Sequence, residues 1–323
     1  MTTANLSQLV AILNDGEYHD IMTISQSLNS NCDAVVNAVK KLENYGINIF
    51  SVENKSYKLL EPLTLLDKHY FSQNTQQHLC PIDIFDSLHS TNDYLKYYYN
   101  SSQPRICFAE QQTCGKGRLQ RNWYSPFGQN IYFSYLHLFK KDIRALAGLS
   151  LVISLAVVKT LQNYHLLNPL QVKWPNDIIY QNRKLAGCLT EIQVNADSVC
   201  SVIIGIGINI NMIAANVQQI SQPWTSMRNI LNTYVDRNPL CVLLINNVIT
   251  YINQFENKGL LYFVEEWQEV DAMFDKEVTL NCANRKIQGM AKGINEFGCL
   301  QLTLPNGEIK AFSSGEATFS NTV

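Results

Sequence analysis

The chain predicts an α/β (α+β) fold: a central unit built on a mixed sheet, a small N-terminal winged helix-turn-helix and a small C-terminal β-barrel of SH3-like size. Three observations predict it. Short apolar strands alternate with helical patterns through the middle of the chain. Helically spaced apolar residues followed by two strands fill the first part. A run of short strands separated by turn residues fills the last part. The expected units are residues 1–65, 66–272 and 273–323.

The elements follow in order. Leu6 to Leu13 and Ile21 to Leu28 read as two short helices. Asn29 to Asp33 is a polar turn with good N-cap residues. Val35, Val36, Val39 and Leu42 mark the core face of a third helix, which Gly46 can end. Ile47 to Val52 and Tyr57 to Leu60 flank the polar turn Glu53-Asn54-Lys55-Ser56, a wing. Pro62 to Asp67 reads as a linker. In the central unit, Ile106 to Ala109, Ile131 to Leu138 and Val199 to Ile204 read as strands, and Arg144 to Gln162 as a strongly apolar helix. Residues 211–235 are polar and mixed, and read as a mobile loop. Val242 to Glu256 and Gly259 to Val270 read as helices. Between 274 and 319, turn signals at Asn295-Glu296-Phe297-Gly298 and Pro305-Asn306-Gly307 punctuate short strands.

Composition narrows the class. The 323 residues carry 46% hydrophobic residues, enough for a sizeable core, and a net charge of −2. That charge gives no global attraction to nucleic acid or to an anionic membrane. The nine Cys show no Cys-x-x-Cys pair and no zinc spacing, which fits reduced thiols and a cytoplasmic protein. Leu149 to Val158 is about half a membrane span and contains two Ser, so a buried helix is expected and no membrane partner.

Two segments point to chemistry. Lys173-Trp174-Pro175-Asn176-Asp177 holds a cation and a carboxylate at set spacing around a proline-fixed backbone. Gly115-Lys116-Gly117-Arg118-Leu119-Gln120-Arg121 is a glycine-spaced basic loop suited to an anionic ligand, with Trp123 just beyond it. Around them lie Ser90-Thr91-Asn92, Glu110-Gln111-Gln112, Arg183-Lys184-Leu185-Ala186-Gly187 and Gly205-Ile206-Gly207-Ile208-Asn209.

In this order the motifs resemble a biotin protein ligase, of the bacterial type that doubles as the biotin operon repressor. The resemblance covers nearly the whole chain and is most specific from Ser90 to Asn209. It implies ATP-dependent formation of biotinyl-5′-adenylate and transfer of biotin to one lysine of a biotin carboxyl carrier protein. It implies that the Gly115 to Trp123 loop orders over biotin and the adenylate, with Lys116, Arg118 and Arg121 supplying charge. Gly115 and Gly117 allow close backbone approach. Ser90, Thr91 and Asn92, aided by Gln112, would bind the biotin ureido group, although Ser-Thr-Asn alone reads as a helix N-cap.

Lys184 would stabilise charge between the reacting carboxylate and phosphate, and Asp177 would hold Lys184 or help deprotonate the acceptor lysine. Gly187 and Gly207 join the ligand set, and Asn209 would read the adenine edge. Trp224 would cover the adenine, Lys173 is a weaker candidate, and Trp174 reads as packing.

No residue is assigned to a protein-held metal: Mg²⁺ would arrive with the nucleotide, and no Walker A pattern is present. The loop departs from the commonest family pattern, which has Arg at Lys116 and Gly at Gln120. Charge sign is kept but a planar fork is lost.

The repressor-type resemblance also implies operator DNA and an adenylate-bound homodimer formed through the central unit's sheet. Residues 1–60 nevertheless contain four Lys, no Arg and six acids, so phosphate attraction is weak. Lys40 and Lys41 on the third helix, with Lys55 and Lys58 on the wing, are the residues expected to face DNA. Two further readings stand beside this one: a biotin-responsive DNA-binding repressor without efficient transfer, and a lipoate-ligase-like enzyme.

Overall fold

The computed structural model describes residues 5–75, 80–194, 200–213, 220–282 and 285–320. The chain opens with α1 (Leu6–Leu13), β1 (His19–Asp20), α2 (Ile21–Ser27), α3 (Cys32–Asn44), β2 (Ile49–Val52) and β3 (Ser56–Leu59). Local chemistry explains these limits. Asn5, Asp20 and Asn31 cap the three helices with side-chain oxygens that accept backbone N–H bonds. Glu53 and Asn54 at the β2–β3 turn both have left-handed φ, as a tight hairpin requires. Strand β1 pairs with β3 and is an element that the apolar pattern did not reveal.

The middle of the chain holds α4 (Lys68–Asn74), β4 (Ile82–Phe85), α5 (Thr91–Lys96), β5 (Arg105–Ala109), β6 (Ile131–Phe139), α6 (Leu149–Leu161), β7 (Gln171–Lys173), β8 (Asp177–Tyr180), β9 (Arg183–Val194) and β10 (Cys200–Ile208). It continues with α7 (Met227–Leu231), α8 (Arg237–Lys258) and α9 (Val264–Val270). The seven strands order as β4-β5-β6-β10-β9-β8-β7. Only β4 and β5 run parallel, so the sheet is mixed as expected. The run Ile143–Tyr164 is apolar enough to cross a membrane by length and composition. Packing of α6 beneath the sheet and against α8 accounts for that composition, since eleven of its thirteen residues are buried.

Four expectations change. The apolar helix starts at Leu149 rather than Arg144, because Gly148 sits at φ +82° and breaks the turn. Gly259 likewise ends α8, and a short 3₁₀ turn precedes α9. The strand expected to stop at Ile204 runs on to Ile208, so Gly205 and Gly207 lie inside β10. Within 211–235, Asn211 is buried and its amide bridges Val235 N and O at 2.9 Å each, and α7 forms. Residues 214–219 of that segment, and Val199, lie outside the described residues.

The last strands are β11 (Glu277–Cys282), β12 (Arg285–Ile294), β13 (Leu300–Thr303), β14 (Ile309–Phe312) and β15 (Glu316–Phe319), in one antiparallel sheet ordered β14-β13-β12-β11-β15. The core of this C-terminal sheet is continuous with that of the central sheet. Leu6, Leu9, Val35 and Leu42 instead form a separate cluster with Leu63, Leu65 and Phe127.

The expected linker is held throughout. Leu63 N donates to Asn14 Oδ1, Thr64 N to Tyr234 Oη, Leu66 N to Glu110 Oε1 and Asp67 N to Asn238 Oδ1. Tyr45 of the N-terminal unit stacks on Phe127 at 4.3 Å, and Lys41 Nζ lies 2.6 Å from Asp86. Lys41 is therefore engaged by the central unit rather than presented freely to DNA. Lys40 is exposed on α3, and exposed Lys55 pairs with Glu53 at 3.5 Å.

Candidate active site

A cavity of about 960 Å³ opens over the central sheet. Its floor is polar and buried. Ser90 caps α5, with its hydroxyl accepting from Asp93 N. Thr91 N and Thr91 Oγ1 both donate to Gln112 Oε1, at 2.9 and 3.0 Å. Gln112 Nε2 in turn donates to Ser125 Oγ at 3.1 Å. The Ser134 hydroxyl on β6 lies 2.7 Å from Thr91 Oγ1 and 2.6 Å from Asn92 Oδ1, with one proton to share between them. Asn92 Nδ2 donates to Glu191 at 2.8 Å. These groups are satisfied by one another, so the floor is preorganised.

Glycines shape the wall. Gly207 faces Gly187 across β9 and β10 and leaves a bare patch on the sheet. A Cβ at Gly207 would fall 2.4 Å from the Trp123 ring, and one at Gly205 would fall 2.3 Å from Asn92 Oδ1. The indole therefore lies against bare backbone, with Lys184 Nζ 5.4 Å from a ring centroid. Trp123 Nε1 is buried without a hydrogen-bond partner among the described residues, a donor at the cavity's edge.

The cation–carboxylate pair is Lys184 and Asp177. The two-residue turn Gln181-Asn182, both at left-handed φ, folds β9 back on β8. A bulge at Ile178/Ile179 shifts the register next to Lys184. Lys184 Nζ then lies 2.7 Å from Asp177 Oδ1, both four-fifths buried. Asn176, also buried, donates to the Cys188 carbonyl and accepts from Arg118 Nη1 at 3.3 Å. Trp174 is buried, with its indole N–H on Gly298 O at 3.0 Å, which is packing as expected. Cys188 lines the cavity, but burial pushes its thiol up to about 12, so it stays protonated and is no nucleophile near neutral pH.

The basic loop spans from α5 to the C-terminal sheet. Arg121 makes a bidentate pair with Glu316 at 2.6 Å on both arms, and this fork holds the Glu316 carboxyl below its usual value. Arg118 Nη2 donates to Gly315 O at 3.1 Å, and burial lowers the pKa of its guanidinium. Lys116 pairs with Asp93 at 2.6 Å. Leu119 and Gln120 both adopt left-handed φ, at +53° and +59°.

Residues 84–209 match the Biotin/lipoate A/B protein ligase family, and residues 274–320 match the Biotin protein ligase C terminal domain. The chain is 32% identical over 311 residues to the bifunctional ligase/repressor BirA of Escherichia coli K12, covering 96% of this chain and 95% of that protein. The chain belongs to the biotin protein ligase family. The BirA of Salmonella typhimurium LT2 is 33% identical over 317 residues, covering 98% of this chain and 97% of its own. Among solved structures, the biotin protein ligase from Aquifex aeolicus in complex with biotin and ATP aligns with TM-score 0.63 and 28% identity. That alignment covers 76% of this chain and all of the other. The chain is a ligase.

In this ligase the cavity gathers most residues expected from sequence: Ser90, Thr91, Asn92, Gln112, Lys116, Gly117, Arg118, Arg121, Trp123, Asp177, Lys184, Gly187 and Gly207. Gly115 and Asn209 are not among its lining. A Cβ at Gly115 would fall 2.4 Å from Trp123 O, so this glycine lets the loop fold on itself. Buried Asn209 donates to Thr225 O at 3.0 Å, bracing the segment whose Trp224 pairs with Lys184 along the backbone. Ser134, Glu191 and Glu316 were missed: each comes from a strand remote in sequence and carries no local motif.

Proposed function

We propose that this ligase activates biotin with ATP and transfers it to a lysine of a biotin carboxyl carrier protein. The observation that carries this reading is the buried Lys184–Asp177 pair facing a polar floor beneath the Gly115 to Trp123 loop. A biotin carboxylate oxygen would attack the α-phosphorus of ATP, the bond to the β-phosphate oxygen would break, and pyrophosphate would leave. Lys184 would offset the charge shared between carboxylate and phosphate. The acceptor amine would then attack the mixed anhydride carbonyl, AMP would leave, and the amine's proton would pass toward Asp177. The polar floor suits a ureido group, and the Trp123 N–H beside bare Gly207, unpartnered among the described residues, suits a polar ligand. Closure of Trp123 and the loop excludes water from the anhydride. Mg²⁺ comes with the nucleotide and screens the phosphates. Among the described residues no cluster of His, Cys, Asp and Glu gathers to hold a metal ion of its own.

A second activity has its own support. Three capped helices and a hairpin precede residue 60, in the order of a winged helix-turn-helix, and two relatives are named ligase/repressor. In this reading residues 1–65 bind operator DNA as a dimer joined through the central sheet. Residues 66–272 and 273–323 form the catalytic unit and a barrel-like cap, in the cytoplasm. The test is a transfer assay: pure protein, ATP, Mg²⁺, biotin and carrier domain, probed for biotin on the carrier lysine, with lipoate as competitor. Transfer untouched by lipoate supports the ligase. Tight biotin binding without transfer points to a sensor, and loss of signal to lipoate points to a lipoate ligase.

A further inference from the structure

The three cations of the cavity loop are held at opposite ends. Arg118 and Arg121 reach the C-terminal sheet, whereas Lys116 reaches back to α5. Asp93 Oδ1 accepts Lys116 Nζ at 2.6 Å and Lys96 Nζ at 3.0 Å. Lys96 also lies 2.6 Å from Glu191, which accepts from Asn92 Nδ2 at 2.8 Å. Asn92 belongs to the cavity floor and is locked there by Ser134. An unbroken run of ion pairs and hydrogen bonds therefore joins the loop to the floor. Burial works to raise the Asp93 pKa, and its two lysines outweigh that effect and hold the carboxyl below its usual value.

We propose that Asp93 is a positioning residue for the ligase reaction. It latches the loop through Lys116 and, by way of Lys96 and Glu191, ties loop closure to Asn92. This rests on the ligase reading of the cavity. Asp93 touches no reacting atom in this account and acts through the loop. A lysine suits the latch better than an arginine, because a compact ammonium meets one carboxylate oxygen that a second lysine already shares. The departure at position 116 thus matches its partner.

The experiment uses the full chain with Asp93→Asn, Lys116→Gln, the double variant and Asp93→Glu, with melting temperatures as a control for folding. The first readout needs no ligand: the rate of tryptic cleavage after Arg118 and Arg121. Each single variant should raise it about fivefold, as expected for a partly exposed ion pair. The double variant should be no faster than either single, because the two residues act through one contact. Asp93→Glu should restore protection. The second readout is biotinyl-adenylate release and the steady-state constants. In Asp93→Asn, release and KM for biotin should rise by a similar factor while kcat changes less than about twofold. Unchanged cleavage in Asp93→Asn, or single effects that multiply in the double variant, overturns the latch. A parent that makes no adenylate while the cleavage pattern holds overturns the ligase role and leaves the loop contact standing.

Discussion

Lys184 and Asp177 sit 2.7 Å apart in a largely buried setting, which makes the lysine a fixed positive charge at the cavity. Removing it should cost electrostatic stabilisation where charge develops. Lys184→Ala is expected to slow adenylate formation by about a hundredfold or more. Melting temperature should fall, because the four-fifths buried Asp177 carboxylate loses its partner, while the fold itself stays intact since the side chain is no part of the apolar core. Pyrophosphate release in a single-turnover assay measures this. Gln120 carries a different kind of information. Its φ of +59° is one that a side chain adopts at a cost of about 1 kcal/mol or more, and glycine is free of it. The relief should exceed the extra freedom glycine gives the open loop. Gln120→Gly is therefore expected to slow adenylate release by about two- to fivefold, read from the decay of bound intermediate. The sequence departure at this position thus has a structural counterpart, a side-chain-bearing residue at left-handed φ in the loop.

Strands β9 and β10 explain what sequence reading reached and what it missed. The Glu53-Asn54 turn was legible because turn chemistry is local. So were the helix caps at Asn31 and Ser90. Gly205 and Gly207 looked like a strand end because glycine weakens a strand interior. Their reason is non-local: Asn92 comes from α5 and Trp123 from the loop, and both need bare backbone on β10. Gly207→Ala should push the indole off the sheet and speed adenylate release by about tenfold, with little change in the melting temperature. Strand β6 carries a pH-sensitive contact to α8. Burial holds His137 below its usual value of 6.5, despite Glu256 at 3.2 Å, and Tyr135 Oη lies against its other nitrogen. Between 6.5 and the lower folded value, the unfolded chain binds the proton and the folded chain does not. Stability should fall as pH drops through that window, and His137→Gln should flatten the curve when melting is followed from pH about 7.5 to 5.5.

At the scale of the whole molecule, buried polar contacts hold the joint between the N-terminal unit and the sheet. Glu110 and Arg237 form a buried pair at 2.7 Å. Arg237 also donates to Asn130 O and Thr64 O, and Glu110 accepts from Leu66 N. Pro62 to Asp67 reads as a linker, and the partners that hold this segment lie more than 40 residues away, where no local pattern could reveal them. Arg237→Met should strand a buried carboxylate and destabilise the protein by about 3–5 kcal/mol. Adding Glu110→Gln should recover much of that loss, and denaturant unfolding of both variants measures it. Glu110 lies two residues from Gln112, which supports the cavity floor, so the joint and the site share one short segment.

The claim at the centre of this account is that the cavity makes biotinyl-5′-adenylate and holds it under the loop. Native mass spectrometry of the pure protein after incubation with biotin, ATP and Mg²⁺, followed by gel filtration, tests it most directly. The account predicts one retained biotinyl-adenylate per chain. A protein that emerges bare, or that retains a lipoyl-adenylate equally well, would contradict it.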